Sequence, residues 1–468
     1  MKRWIRCLSL LLLALLCGCG RQQSPTALPP ATEMTAAEKA VLIGKAQTFM
    51  EYVTVGSYDL AYSMFSKAMA DVMPEKKIGP TWDRVISAYG PYASVDWDNA
   101  VILPVESNQL LRAVIRFDRK MELRLSFNPD AEIDGFFVLE MTEDTLPAPT
   151  PKPPAGIDEE EIAFDSQPNM PLRGVYTFPK EGPRDIAVVL VHGSGPQDRD
   201  ETIKANAPFR DLARGLAERG IASVRYDKCT FLYPLDAQTI TVDQETALDA
   251  VAAAKWLREE KGARYVFIVG HSQGGMLASY IQSLGAGADG LISLAGSPRN
   301  FVDLLIDQNH LAAQAYRDQG DEKEAIEVDA YTAAESAKLQ LLAPHQASSA
   351  DIPEETTIFG LPIPYVFHWA GIDAAALHLQ YDIPALFLQG GRDIQVYADQ
   401  DFAMWQEALA GHPDATFKLY EDLNHLFGLY TGEPTTILTV VQEEYGMRTP
   451  VDVRILDDIA QWIFDHTE

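Results

Sequence analysis

The run Gly270-His271-Ser272-Gln273-Gly274-Gly275 constrains this chain more than any other stretch. Ahead of it, 265–269 is an apolar strand pattern; behind it, 274–283 has helical spacing. A serine between glycines at a strand-to-helix turn has a physical logic. The turn is so tight that Gly270 and Gly274 must lack side chains for neighbouring backbone to close in. The hydroxyl is then pushed above the sheet edge, at the positive end of the following helix. The flanking segments agree with such a turn. Ile186–Val191 is apolar throughout, Ala222–Tyr226 reads as another strand, and 211–219 and 246–260 have helical spacing. Strands apolar on both faces, alternating with helices, predict an α/β fold with a mostly parallel sheet covered on both sides.

A serine hydroxyl is a weak nucleophile and needs a base that a carboxylate orients. In the chain order that accompanies G-x-S-x-G, the acid and then the histidine follow the serine. Residues 384–389 read as an apolar strand ending in Gly390-Gly391-Arg392-Asp393. Asp393 therefore falls on a loop at the carboxyl edge of the sheet, where parallel sheets gather their sites. Another strand pattern, 416–420, leads into Glu421-Asp422-Leu423-Asn424-His425, with room for a helix over 399–410 between the two. Asp393 and His425 are the candidate acid and base. His192 and His271 sit inside glycine-rich loops and read as structural, and His368, His378 and His412 have no acid-loop partner by order. Asp382, Asp399 and Asp401 lie before the strand or in the helix, while Glu421 and Asp422 are accessory candidates. An oxyanion formed at this serine needs fixed donors. The backbone N–H of Gln273 is one candidate. In His192-Gly193-Ser194-Gly195-Pro196, which resembles other His-Gly oxyanion loops, that resemblance makes Ser194 the second, with Gly193 the runner-up. Cys229 lacks a comparable turn and reads as a semi-buried passenger.

From about residue 170 onward the chain is similar to bacterial carboxylesterases of the α/β-hydrolase superfamily, in the branch labelled serine aminopeptidase-like. The likeness is carried by VHGSGPQDRD (191–200), PFRDLA (208–213), RYDK (225–228), GHSQGG (270–275), QGGRD (389–393) and LNH (423–425). It implies an acyl-enzyme mechanism on carboxylic esters of short to medium acyl chain, with a Ser272-His425-Asp393 triad and neither metal nor cofactor. A peptidase, thioesterase or acyltransferase using the same triad is the alternative, because a triad fixes the reaction type and not the leaving group. A surface-binding protein with an idle hydrolase domain is a third reading. The likeness also implies a helical cap at about 299–381, inserted after the strand 291–294. Within it, LPIPYVFHW (361–369) serves either as acyl-pocket lining or as cap core. Relatives with the RYDK run carry arginine where this chain has Cys229, so a local salt bridge is expected to be missing.

The first residues carry a different message. Lys2, Arg3 and Arg6 precede the apolar run 8–16, which is short of the ~20 residues a membrane span needs but suits an export signal. Leu16-Cys17-Gly18-Cys19 resembles a bacterial lipobox. That resemblance implies cleavage of the signal 1–18, acylation of Cys19, and anchoring to the outer face of the cell membrane. Residues 19–35 read as a tether. Over 36–145 a small α+β domain is expected, with helices over 36–52 and 58–69 and then a period of two over 111–117 and 121–127. A third strand is expected over 136–141. This order resembles the domain of unknown function, shaped like a nuclear-transport-factor cone, that precedes many bacterial hydrolases, and it suggests substrate capture or positioning. Five prolines between Pro147 and Pro154, with the acidic run 158–161, mark a linker over 146–161 ahead of a catalytic domain at 162–468. Acids outnumber bases 67 to 38, a net charge of −29 that excludes a phosphate backbone as partner. The four cysteines, three of them within the first nineteen residues, supply no disulfide framework. Oligomeric state is not legible.

Overall fold

The computed structural model describes residues 34, 36–140 and 152–467, apart from 106–107, 119, 169, 234, 236–238, 343–351, 353–355 and 382. The expected signal, Cys19, the tether apart from Met34 and most of the proline run lie outside the described residues. Among the described residues, no helix is long and apolar enough to cross a membrane. The chain divides into two compact units between Lys152 and Pro153.

The first unit opens with helices Ala36–Val55, Tyr58–Tyr62, Lys67–Val72 and Glu75–Tyr89. An antiparallel meander follows: β1 (Ser94–Val105), β2 (Asn108–Arg116), β3 (Lys120–Phe127) and β4 (Ile133–Glu140). The period of two puts Leu111, Ala113 and Ile115 on the same face as Met121, Leu123 and Leu125. There they pack with Phe49, Val53 and Trp82 in one buried cluster. Two elements escaped the sequence reading. Glu75–Tyr89 contains Gly79-Pro80, which reads locally as a helix break, yet burial of Ile78 and Trp82 holds the helix together. The strand β1 is polar at its start and shifts register between Asp96 and Val101, which blurs its alternation.

The second unit begins with a hairpin, β5 (Ile157–Gln167) and β6 (Met170–Pro179). Next come β7 (Ile186–Val191), β8 (Ala222–Tyr226), β9 (Tyr265–His271) and β10 (Gly290–Leu294). A two-residue pair, β11 (Thr357–Ile358) and β12 (Leu361–Pro362), precedes β13 (Ala385–Gly390) and β14 (Ala415–Tyr420). Eight strands form one sheet in the order β5-β6-β8-β7-β9-β10-β13-β14. All neighbours from β8 to β14 are parallel, and β5 and β6 are antiparallel. The acidic run 158–161, read as the end of a linker, is corrected by this arrangement: it lies inside β5. Its acids look linker-like only until their partners are in place. Glu159 bonds Arg214 and the buried Arg225, contacts that no local pattern announces.

Alternate side chains of β7 serve opposite cores. Val188 and Leu190 meet Phe209 and Leu212 of helix Pro208–Glu218 and Ile455 and Ile459 of helix Val453–Asp465. Ala187, Val189 and Val191 share the other face with Leu257 of helix Leu248–Glu259. Each such fully buried aliphatic side chain contributes about 1.5–3 kcal/mol. Between β10 and β13 the expected insertion is helical, with Phe301–Asp318, Glu322–Leu342, Ile363–Ala370 and Ala374–Tyr381.

Candidate active site

Ser272 stands where β9 hands over to the short helix Gln273–Met276, at φ 50° and ψ −117°. That backbone conformation is rare outside glycine and costs on the order of 1–3 kcal/mol. It persists because the surroundings overdetermine it. A Cβ on Gly270 would strike the carbonyl oxygen of Gly274, and one on Gly274 would strike that of Val191. The Ser272 N–H is fixed to the Leu294 carbonyl at 2.8 Å.

Asp393 lies just past the end of β13, and every lone pair it offers is used. Its Oδ1 accepts the backbone N–H of Gln395 at 2.8 Å and of Val396 at 3.0 Å. Oδ2 accepts from Gln389 Nε2 at 3.1 Å and from His425 Nδ1 at 2.7 Å. A neutral imidazole donating through Nδ1 keeps Nε2 as a proton acceptor. The His425 loop is itself braced: Asn424 Oδ1 accepts from the N–H groups of Leu426 and Gly428. The rival acids are engaged elsewhere. Asp401 is buried against Ser297 and Arg299, and Asp422 pairs with Arg454 at the surface. Asp399 is exposed, and Asp382 lies outside the described residues.

Ser272, His425 and Ser194 line one cavity of about 400 Å³. Its apolar wall includes Met276 and, from the first cap helix, Leu304 and Leu305. The stretch 361–369 does not line it and is cap core instead: Trp369 is buried and stacks on Phe301 at 5.5 Å between ring centres.

The loop after β7 separates the two donor candidates. Gly193 N–H donates to Glu201 Oε1 at 2.6 Å and Gly195 N–H to Glu245 Oε1 at 2.8 Å. The Ser194 N–H between them has no partner among the described residues, nor has that of Gln273. Gly193, the runner-up, is therefore committed to another acceptor. Beneath the loop lies a buried network that sequence reasoning missed. Lys228 Nζ bonds the Gly193 carbonyl at 3.0 Å and Glu245 Oε1 at 2.9 Å. Glu245 Oε2 accepts from Tyr365 Oη at 2.6 Å and from Gln273 Nε2 at 3.0 Å. The RYDK run was the available signal for Lys228; nothing local pointed to Glu245 or Tyr365.

Three further expectations are answered here. Cys229 is buried with its Sγ 2.6 Å from the Gln244 carbonyl, and burial first, then Asp249, push its thiol far up, so it stays protonated. Nearby, Asp249 is also buried, and burial raises its pKa. It accepts from Ser166 Oγ at 2.5 Å and from the Cys229 N–H at 2.8 Å, and no arginine is paired with it among the described residues. His192 holds the Asp198 carbonyl at 3.0 Å, and burial lowers its pKa to about 3, which fits a neutral structural ring.

No family model matches the chain. It is 28% identical over 417 residues to esterase EstD of Thermotoga maritima, across 89% of this chain and 93% of that protein. Among solved structures, the Pyrococcus furiosus esterase Pf2001 aligns with a TM-score of 0.40 at 14% identity, covering 67% of this chain and 92% of that one. Est1E of Butyrivibrio proteoclasticus gives 0.39 at 12% identity, with 65% and 98% covered. From its strand order, its strained serine turn and its capping insertion, the chain carries the α/β-hydrolase fold, and over most of its length it is similar to an esterase.

Proposed function

We propose that this protein is a carboxylesterase-type serine hydrolase working through an acyl-enzyme. The observation that carries the reading is one cavity lined by a serine in a strained turn and by a histidine held by a buried aspartate. Ser272 Oγ attacks the ester carbonyl carbon while His425 Nε2 takes its proton. The resulting oxyanion accepts hydrogen bonds from the free N–H groups of Ser194 and Gln273. Collapse breaks the ester C–O bond, and His425 returns the proton to the departing alcohol. Water, deprotonated by His425, then attacks the acyl carbon, releasing the acid and restoring Ser272. The apolar cap wall and the size of the cavity favour short to medium acyl chains. A panel of p-nitrophenyl esters, acyl thioesters and aminoacyl amides tests the assignment. Esters of two to eight carbons should be turned over fastest; faster cleavage of the amides would move the protein to the peptidases. Absence of covalent labelling by a fluorophosphonate would leave a binding protein.

Export and lipid anchoring through Cys19 belong to the same reading. They are supported by the basic start, the short apolar run and the Leu-Cys-Gly-Cys sequence. Incorporation of radiolabelled palmitate that survives Cys19→Ser would overturn the anchor. For the first unit, a cone-shaped capture module fits its helices-then-meander order, and deletion of 36–145 should raise KM for bulky esters while sparing p-nitrophenyl acetate.

A further inference from the structure

We infer that Glu201 is a positioning residue for catalysis, tying the donor loop, the nucleophile turn and the base loop together through His271. The inference deepens the serine hydrolase reading and rests on it. Glu201 is 1% exposed and lines the catalytic cavity. Its two oxygens serve different loops. Oε1 accepts the Gly193 N–H at 2.6 Å, next to the free Ser194 N–H. Oε2 lies 3.0 Å from Nδ1 of His271, the residue directly before the nucleophile, although bent out of hydrogen-bond alignment. The opposite nitrogen of that ring, His271 Nε2, donates to the backbone carbonyl of His425 at 2.9 Å. One carboxylate and one imidazole therefore link residues 193, 271 and 425.

The chemistry of the ring adds a second point. Both nitrogens of His271 face oxygen acceptors, a carboxylate and a carbonyl, which suits an imidazolium with a proton on each. Burial, the largest single influence, would discharge it, but Glu201 together with the His425 carbonyl and Asp393 outweighs burial and raises the His271 pKa, while the Glu201 pKa is lowered. The backbone pays a strain for the arrangement: Glu201 sits at φ 50°, a left-handed conformation that glutamate rarely adopts. A turn led by Asp198 holds it there. The Asp198 carbonyl accepts the Glu201 N–H at 2.9 Å, and its Oδ1 accepts the N–H groups of Asp200 and Thr202. Glu201 touches no reacting atom in this scheme; it acts through the loops it joins.

The test uses the full chain and p-nitrophenyl butyrate. Glu201→Gln keeps an acceptor for Gly193 but gives up the attraction for an imidazolium, and kcat should fall about tenfold with KM within about twofold. Glu201→Met removes both acceptors at similar length and should cost about a hundredfold in kcat, so that the amide acts as a partial rescue. Because the two residues form one link, the Glu201→Gln/His271→Gln double variant should be no slower than the slower single variant. Folded Glu201→Gln with wild-type kcat overturns the inference, even if Glu201→Met fails to fold. So does a loss seen only in KM, or a double variant whose loss is the product of the singles. Failure of the hydrolase reading is separate and visible in the wild type: no ester turnover, or turnover untouched by Ser272→Ala.

Discussion

The two units bury charge for different ends. In the first, Glu122, a fully buried carboxylate of the meander, lies between Arg112 and Arg124, its neighbours across and along the strands. Burial opposes its charge, yet the two guanidiniums hold its pKa below the usual range. The group joins two neighbouring strands of the meander. In the second unit, several buried charged groups stand behind one residue: Lys228 with Glu245, Glu201 beside His271, and the Asp393 carboxylate holding His425. Each of these pairs reaches a loop at the carboxyl edge of the parallel strands, and Ser272 sits among them in a strained turn. Burying charge costs several kcal/mol per ion before pairing. Buried pairs also brace the sheet at Arg225 and the cap at Arg299, but those behind Ser272 converge on the loops that line its cavity.

The comparison breaks most severely at the serine. Ser272→Ala should lower kcat for p-nitrophenyl butyrate by on the order of 10⁶ and leave the melting temperature nearly unchanged; residual turnover above a thousandth of wild type would mean another nucleophile. Asp393→Asn should cost about 10⁴ in kcat, since the amide favours the wrong histidine tautomer. A loss under tenfold would make Asp393 a bystander. Lys228→Met strands the Glu245 carboxylate and should destabilise the second unit by about 3–5 kcal/mol in urea unfolding, with Lys228→Met/Glu245→Leu recovering part of the loss. Equal stability of the single variant would show that the pair is not desolvated.

The smaller effects sharpen the same contrast. The His271–Glu201 pair has a raised imidazole pKa and a lowered carboxyl pKa relative to ordinary values of 6.5 and 4.5. The imidazole's contribution is fully present below pH 6.5 and is lost as pH rises through its raised value. The carboxylate's contribution is present above pH 4.5 and is lost as pH falls through its lowered value. The stability difference between wild type and His271→Gln should therefore peak between those two pH values and shrink toward alkaline pH. A difference that grows with pH would contradict a charged His271. Smallest of all, Glu122→Gln should cost about 1 kcal/mol in the first unit, because Arg124 is more than a third exposed and solvent screens it. Turnover of p-nitrophenyl butyrate should not change; a fall in kcat would tie the meander to the chemistry.

Much of the second unit was legible residue by residue. The strands over Ile186–Val191 and Ala222–Tyr226 have the bounds read from the sequence, and Asp393 and His425 could be ordered after Ser272 from strand endings and the motif's chain order. The hairpin β5–β6 was not legible, since most of its acids find their partners, Arg199, Arg214, Arg225 and Lys261, far along the chain. The cap stretch 361–369 was ambiguous for a related reason: apolar residues lining a pocket and apolar residues filling a core have the same composition.

The sequence by itself determined the period of the central parallel strands and their helices, the glycines that let the serine turn close, and the chain order of serine, acid and histidine. These are local or ordinal properties, written in residue type and spacing. Only the tertiary structure decided that Gly193 gives its N–H to Glu201 and leaves Ser194 free, and that His271 reaches the carbonyl of His425. Hydrogen bonds and buried ion pairs join residues by distance in space, and in a wound sheet that distance bears no relation to separation along the chain.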